Sequence, residues 1–192
     1  MKRIPVQITV FPLAEVSSGD EAALRLGRRF SEAHQLPPPE RILRREREKP
    51  AFDPAPPYFS ISHSGAFWTC AVAAVPLGID LQRHQPCRQE RIARRFFHPA
   101  EAAWLEGRPT ADFFTIWTAK ESYVKFTGTG IDDQFSSFSV VGTDGRISCC
   151  RGAVLRHLPF LPDYTLCLCT PENAEVQLEY HENETIKEGL LQ

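Results

Sequence analysis

One acid and one base lie four residues apart in a stretch that favours a helix. Glu121 and Lys125 belong to the segment Trp-Thr-Ala-Lys-Glu-Ser-Tyr-Val-Lys, residues 117–125. Residues four apart share a helix face, so the two side chains lie along one border between buried and solvated surface. One interpretation is a surface ion pair, which contributes only about a few tenths of a kcal/mol. The other is a functional pair, and the choice depends on what the rest of the chain brings beside it.

The helix that carries this pair is predicted from about residue 111 to residue 126. Good helix formers fill its centre, and Gly128 and Gly130 end it. At about 100° per residue, one stripe of side chains is expected to face the core. That stripe consists of Phe113, Ile116, Trp117, Lys120 and Val124.

Two polar side chains alternate in a short apolar strand predicted over residues 77–82. Asp80 and Gln82 are two residues apart, so they point to the same face. Because Gly78 and Ile79 precede it, Asp80 emerges from a buried backbone. This placement is common for a metal ligand, and it is equally common for a helix cap or a turn residue.

A small, hydroxyl-rich turn is predicted where the strand over residues 58–61 ends. The turn is Ser-His-Ser-Gly, residues 62–65. Backbone N–H groups and hydroxyl donors at such a turn suit an anion. Taken alone, His63 is more often a structural histidine. A nucleophile elbow is not indicated, because the pattern G-x-S-x-G is absent.

The elements that must position these residues begin with a strand over residues 4–11 and a helix from Gly19 to about His34. Three prolines at residues 37–39 then break the chain. Residues 40–49 are rich in both charges and fit either a polar edge strand or a helix. They form either a solvated face or a basic rim for phosphate groups.

The second part of the chain combines helices with a run of strands. An apolar strand is predicted over residues 67–75, a basic helix over residues 91–97 and a further helix from His98 through Trp104. A loop over residues 128–134 follows the central helix. Later strands are predicted at residues 138–141, 147–150, 153–158, 164–169 and near 176–180, with a turn at residues 143–145 and an acidic tail from about residue 181.

The composition is that of an ordinary globular protein. The chain has 192 residues, of which 42% are hydrophobic and 24% charged, with a net charge of −2. This balance argues against a general binder of nucleic acids or anionic membranes, and no apolar run is long enough to span a bilayer. The interrupted apolar start is interpreted as a first strand rather than a signal peptide. The six cysteines lack zinc-site spacing, and Cys167 and Cys169 alternate as buried strand side chains would, which favours reduced thiols and a cytoplasmic protein.

Four motifs occur in a fixed order along the chain. They are Phe-Ser-Ile-Ser-His-Ser-Gly at residues 59–65, Leu-Gly-Ile-Asp-Leu-Gln at 77–82, Arg-Arg-Phe-Phe-His-Pro-Ala-Glu at 94–101 and the helix motif at 117–125. Together they resemble the 4′-phosphopantetheinyl transferase family of the surfactin-synthetase-activating type. The family signatures are G-[IV]-D-x-E and W-[ST]-x-K-E-[AS]-x-x-K, with S-H-S upstream. The resemblance extends from roughly residue 49 to residue 169 and is weak before that.

The resemblance implies a reaction and a fold. Such an enzyme binds coenzyme A with Mg²⁺, and a serine of an acyl or peptidyl carrier protein attacks the β-phosphate, releasing adenosine 3′,5′-bisphosphate. The implied fold is α/β, of the α+β kind. It has two similar halves, each a helix on a small antiparallel sheet, related by a pseudo-two-fold with the site between them. The halves would be residues 1–75 and 76–192.

The resemblance also implies a role for individual residues. Asp80 and Glu121 would bind Mg²⁺, with Gln82 at a third position where the family often has glutamate. Glu121 could also accept the serine proton, and Lys125 would reach the pyrophosphate. Coenzyme A would be held by Lys49 and Pro50 near the adenine and by Ser62 and His63 at its phosphates.

Two further sites are expected for charged partners. The 3′-phosphate of coenzyme A would be bound by Arg28, Arg41, Arg44 or Arg45. An acidic carrier protein is expected to contact the helix over residues 92–97 and the loop over residues 128–135. The positive charges of Arg91, Arg94 and Arg95 would complement it.

Other functions compete with the transferase hypothesis. One is a catalytically weak relative that binds coenzyme A or a carrier protein without transfer, which Gln82 and the short N-terminal region favour. Another is a metal-dependent phosphoesterase, since two acids and a lysine also suit hydrolysis. A monomer is expected in either case. Whether the carrier serves fatty-acid, polyketide or nonribosomal-peptide synthesis is open.

Overall fold

The computed structural model describes residues 3–46, 48–129 and 133–181. The helices are α1 (Gly19–His34), α2 (Gln89–Phe96), α3 (Pro99–Leu105) and α4 (Thr110–Thr127). The strands are β1 (Ile4–Pro12), β2 (Arg41–Leu43), β3 (Ala51–Asp53), β4 (Tyr58–Ser64), β5 (Phe67–Ala73), β6 (Gly78–Arg83), β7 (Cys149–Cys150), β8 (Ala153–Leu158), β9 (Tyr164–Thr170) and β10 (Ala174–Tyr180). The predicted α+β class is confirmed.

The first sheet has the strand order β10-β1-β5-β4, and α1 packs on it. α1 begins where the Ser18 side chain accepts a hydrogen bond from the Glu21 N–H, a standard helix cap. Its apolar side, which includes Leu26 and Phe30, is buried against aromatic side chains of the sheet such as Trp68. β10 pairs in parallel with β1, so the last strand of the chain completes the first sheet.

The second sheet has the strand order β6-β9-β8-β7, and α4 lies across it. α4 ends at Gly128, whose φ of 75° is in the left-handed region that favours glycine. The expected core stripe is buried except for Trp117, which is half-buried, but Thr118 and Ser122 are buried as well. α4 is therefore covered on more than one side, because aromatic residues such as Phe135 and Phe138 pack on it opposite the sheet.

The two four-stranded sheets meet along β4 and β6, which contact each other through side chains. Serines at alternate positions of β4 accept hydrogen bonds from alternate backbone N–H groups of β6. The pairs are Ser60 with Ile79 at 3.1 Å, Ser62 with Leu81 at 3.1 Å and Ser64 with Arg83 at 2.9 Å. We call these three bonds the serine ladder.

Two predictions of local structure are wrong. Residues 62–64 continue strand β4 rather than forming a turn, because their backbone pairs with β5 through residue 64. Residues 138–141 are irregular rather than a strand, since the Phe138 carbonyl and the Val140 N–H bond to side chains of α4 and α3. In the polar segment at residues 40–49, β2 is the regular element among the described residues, and it pairs with β3.

The remaining predicted helices and strands are present, but β5 ends at Ala73 and β7 is confined to Cys149–Cys150. All six cysteines lie in the described residues as free thiols, and Cys167 and Cys169 are buried, as their alternation predicts. The division into halves at residue 75 and their pseudo-two-fold relation stay predictions. The acidic tail from about residue 181 and the centre of the loop over residues 128–134 fall largely outside the described residues. None of the helices in the described part of the chain is long and apolar enough to cross a membrane.

Candidate active site

Asp80 is a buried carboxylate whose two oxygens have different surroundings. Its Oδ1 accepts hydrogen bonds from Ser62 Oγ at 2.8 Å and from Lys125 Nζ at 2.7 Å. Its Oδ2 is buried and has no hydrogen-bond partner among the described residues. Burying an oxygen without a hydrogen-bond partner costs free energy, so this oxygen is a candidate to bind a ligand. Burial raises the pKa of Asp80, and Lys125 and Ser62 oppose that shift.

Glu121 brings a second carboxylate to the same place. Burial and the nearby charge of Asp80 raise the pKa of Glu121 to about 7, and Lys125 acts in the opposite direction. The two carboxylates can approach because β6 carries Gly78 where α4 crosses it. A side chain at residue 78 would collide with the carbonyl oxygen of Ser122. Helix and strand therefore pack backbone to backbone at a point two residues before Asp80 and next to Glu121.

Lys125 forms its ion pair across the helix–sheet contact, not along the helix. Its partner is Asp80 rather than Glu121, which replaces the surface pair that the i, i+4 spacing allowed. Lys49 lies close to it and donates to the Leu77 carbonyl at 2.6 Å. Burial, and then the charge of Lys125, lower the pKa of Lys49 to about 8. Two lysines and two carboxylates thus occupy the junction between the sheets.

Gln82 lies on the same strand as Asp80, two residues further along, and its side chain also faces α4. It is half-buried, and its amide donates to the Arg83 carbonyl at 3.3 Å. It also borders a cavity of about 140 Å³. The other residues that line this cavity are Gln85, Cys87, Ile92, Phe113, Phe114 and Trp117.

The residues predicted to hold coenzyme A fall into two groups. Lys49 and Pro50 are half-buried, and His63 is exposed on β4. Ser62, by contrast, is buried, and its hydroxyl already accepts from the Leu81 N–H and donates to Asp80. These roles stay predictions, but the hydroxyl of Ser62 is committed to partners within the protein.

The candidate residues for a 3′-phosphate are also engaged to different degrees. Arg44 forms two bonds to Asp20, at 2.6 and 3.1 Å, and this carboxylate raises the pKa of Arg44. Arg41 bonds to Asp53, and Arg28 donates to two backbone carbonyls. Arg45 has only a 3.5 Å contact with Glu48 and is the least constrained of the four.

Sequence reasoning missed a role for Glu101. This carboxylate is fully buried and pairs with Lys120 Nζ at 2.9 Å. It also caps α3 by accepting the His98 N–H at 2.9 Å. The pattern His-Pro-x-Glu, with proline at the first helical position and glutamate at the third, identifies this capping arrangement. The fully buried Lys120 then required an acid from elsewhere in the chain.

The donor set fits Mg²⁺ better than a transition metal. The residues that the structure describes contain no group of three or more His, Cys, Asp or Glu placed to bind a metal. Mg²⁺ is usually bound by one or two carboxylates plus substrate phosphates and waters. The buried, unpartnered Oδ2 of Asp80 beside Glu121 matches that requirement.

Comparisons with known proteins match the second part of the chain to one family. A family profile described as the 4′-phosphopantetheinyl transferase superfamily matches residues 76–169. A 4′-phosphopantetheinyl transferase of Bacillus subtilis is 40% identical over 96 residues, 47% of this chain and 42% of that protein. The transferase gsp of Aneurinibacillus migulanus is 39% identical over 107 residues, 53% of this chain and 44% of that protein.

A third relative extends the match slightly. The transferase Sfp of Bacillus subtilis strain 168 is 37% identical over 114 residues, 56% of this chain and 50% of that protein. The matches thus span about half the length of these curated relatives or less.

Proposed function

We propose that this chain is a 4′-phosphopantetheinyl transferase, because the profile of that superfamily matches residues 76–169. It transfers the 4′-phosphopantetheine arm of coenzyme A to a serine of an acyl or peptidyl carrier protein. The observation that carries the proposal is the junction between the sheets. There a buried oxygen of Asp80 without a partner lies beside Glu121 and Lys125 of the motif that resembles the family's helix signature.

The proposed transfer balances as a substitution at phosphorus. The carrier serine oxygen forms a bond to the β-phosphorus of coenzyme A, and the bond from that phosphorus to the bridging oxygen breaks. Adenosine 3′,5′-bisphosphate leaves with the electron pair. Magnesium held by Asp80 and Glu121 would neutralise charge on the pyrophosphate.

The chain's own residues contribute the proton acceptor and a fixed cation. Glu121 is suited to accept the serine proton, directly or through water, because its carboxylate lies beside Asp80 at the proposed site. Lys125 supplies a point charge to the pyrophosphate from a position fixed by Asp80. Gln82 stands near a third ligand position, where a neutral amide is a poorer ligand than a carboxylate and a water can take its place.

The carrier protein is proposed to dock on α2. The side chains of Arg91, Arg94 and Arg95 are exposed on this helix. Glu90 is the one acidic residue within α2, and it lies 4.0 Å from Arg94. Acidic partners are attracted to such a surface at a distance, which raises the association rate more than the final affinity. The enzyme is further proposed to act as a cytoplasmic monomer.

Intact-mass spectrometry tests the proposal directly. A panel of apo carrier proteins is incubated with the protein, coenzyme A and Mg²⁺, with EDTA and with the Asp80→Asn variant as controls. We expect one carrier to gain the mass of a single phosphopantetheine arm, and only with Mg²⁺ and the unmodified enzyme. Coenzyme A bound without transfer would instead indicate a binding-only relative. Coenzyme A consumed without a carrier would indicate a phosphoesterase.

A further inference from the structure

The three serines of the serine ladder make the same bond to β6 but differ in their contact with Asp80. Each accepts a backbone N–H from β6, so each contributes one hydrogen bond to the contact between the sheets. Only the middle one also donates to a carboxylate, namely to Oδ1 of Asp80 at 2.8 Å. The strand period of two places Ser60 and Ser64 on the same face of β4, one on each side of Ser62.

The hydroxyl of Ser62 fixes how the Asp80 carboxylate is turned. Ser62 Oγ and Lys125 Nζ both donate to Oδ1, so the same carboxylate leaves Oδ2 buried and unpartnered. The two donors are not equivalent. Lys125 cancels charge on the carboxylate, and its side chain is 28% exposed. A neutral, buried hydroxyl orients the carboxylate without cancelling its charge.

We propose that Ser62 is a positioning residue that presents Oδ2 of Asp80 to a divalent cation, and not a ligand of a coenzyme A phosphate. The inference rests on the cation site of the proposed function. Hydrogen bonds to a metal-ligating carboxylate set its orientation, and their removal typically weakens metal binding by about 10- to 100-fold. The same loss in Ser60 would remove a ladder bond without touching Asp80.

Mn²⁺ binding measured by electron paramagnetic resonance of the free ion tests this inference. Mn²⁺ serves as the probe because it is an oxygen-preferring divalent cation like Mg²⁺. We expect Ser62→Ala to weaken Mn²⁺ binding by about tenfold and Ser60→Ala to change it by less than about twofold. Each variant loses one ladder bond, and Ser62→Ala also loses the bond to Asp80, so thermal melts of both variants are compared to show that each remains folded under the binding conditions. Ser62→Thr, which keeps the hydroxyl, should bind Mn²⁺ like the unmodified protein.

Kinetics separate positioning from substrate binding. With transfer as the readout, Ser62→Ala should raise the Mg²⁺ concentration needed for half-maximal rate and leave the KM for coenzyme A at saturating Mg²⁺ unchanged. A raised KM for coenzyme A with unaltered Mn²⁺ binding would overturn the inference and make Ser62 a substrate ligand. Equal Mn²⁺ binding by Ser60→Ala and Ser62→Ala would overturn it too.

Failure of the proposed function would look different. If the unmodified protein transfers no arm but the Mn²⁺ difference between the two serine variants is found, the transferase proposal fails and the positioning role stands. If Asp80→Asn binds Mn²⁺ as well as the unmodified protein does, Asp80 is not a cation ligand. Ser62 then positions nothing, whatever the transfer assay shows.

Discussion

Helix α4 carries two lysines five residues apart, and each pairs with an acid from another element. Lys120 pairs with Glu101 of α3, and Lys125 pairs with Asp80 of β6. At the first pair every charged group is satisfied. Glu101 Oε1 also accepts the Val140 N–H at 2.8 Å, its Oε2 accepts the His98 N–H, and Lys120 donates to the Phe138 carbonyl at 2.7 Å. At the second pair one carboxylate oxygen has no partner among the described residues, and Glu121 adds a further negative charge.

The difference distinguishes a structural ion pair from a functional one within one sequence motif. The Lys120–Glu101 pair is complete, and the ring of Phe138 lies over Lys120 with its centroid at 3.9 Å. Nothing remains there for a ligand to bind. The Lys125–Asp80 pair is incomplete, since one buried oxygen of Asp80 has no hydrogen-bond partner among the described residues and a second carboxylate, Glu121, lies near it. Both pairs contain a buried carboxylate, so the unsatisfied oxygen rather than burial of the acid is what indicates function.

The largest expected effect is at the incomplete pair. Asp80→Ala should lower the transfer rate by at least about 10³-fold, or about 4 kcal/mol in the barrier, because a cation that stabilises transition-state charge contributes several kcal/mol. Its thermal stability should change little, since the variant removes a buried and incompletely bonded carboxylate. Steady-state kinetics and a thermal melt measure the two quantities. Full activity would exclude Asp80 from the site, and a collapse of stability would make both pairs structural.

The complete pair should respond in the opposite way. Lys120→Met should lower the free energy of unfolding by about 3–5 kcal/mol, because Glu101 is left as a buried charge without its counter-ion. Urea denaturation measures the loss. The double variant Lys120→Met with Glu101→Leu is the control, and it should recover part of the stability because no unpaired charge remains. A loss below about 1 kcal/mol for Lys120→Met would show that this pair contributes no more than a surface one.

The dependence of stability on pH should also distinguish the two regions. The pKa of Glu121 is raised from 4.5 to about 7 in the folded protein. Between these values the folded state binds more protons than the unfolded state, so the contribution of Glu121 to stability falls as pH rises. The metal-free protein should therefore lose stability from pH 5 to pH 7 relative to Glu121→Gln. Urea denaturation in EDTA measures this difference, and parallel curves for the two proteins would contradict it. Added Mg²⁺ should reduce the loss at pH 7.

The sequence predicted best the elements whose ends are defined by residues close to them in the chain. α1 and α4 have their boundaries within one or two residues of expectation, because glycines, a serine cap and amphipathic spacing define them. β6 and β9 were predicted because an apolar run between turn residues fits a buried strand. The candidate site could be assembled in outline, since Asp80 and Glu121 belong to motifs whose order resembles a known family.

The remainder depends on partners distant in the chain. The hydroxyl-rich run at residues 62–65 is typical of an anion-binding turn, but the partners of Ser62 and Ser64 lie on β6, 18 or 19 residues further along. Residues 138–141 have strand-like composition, but their backbone groups bond to the Lys120–Glu101 pair instead of a neighbouring strand. Lys120 was placed correctly toward the core, but neither periodicity nor propensity could identify Glu101 as its counter-ion.

The smallest expected effect comes from adding a negative charge near the Lys125–Asp80 pair. Gln82→Glu adds a third carboxylate on β6, two residues from Asp80. The number of carboxylates tunes the affinity of divalent-cation sites. The Mg²⁺ concentration for half-maximal activity should therefore fall by about three- to tenfold. Gln85→Glu is the matched control, since Gln85 lines the same cavity and the change adds the same charge. An equal fall in both variants would assign the effect to general charge. A large loss of activity in Gln82→Glu alone would mean that the amide itself bonds to the substrate, which a carboxylate cannot do as a donor.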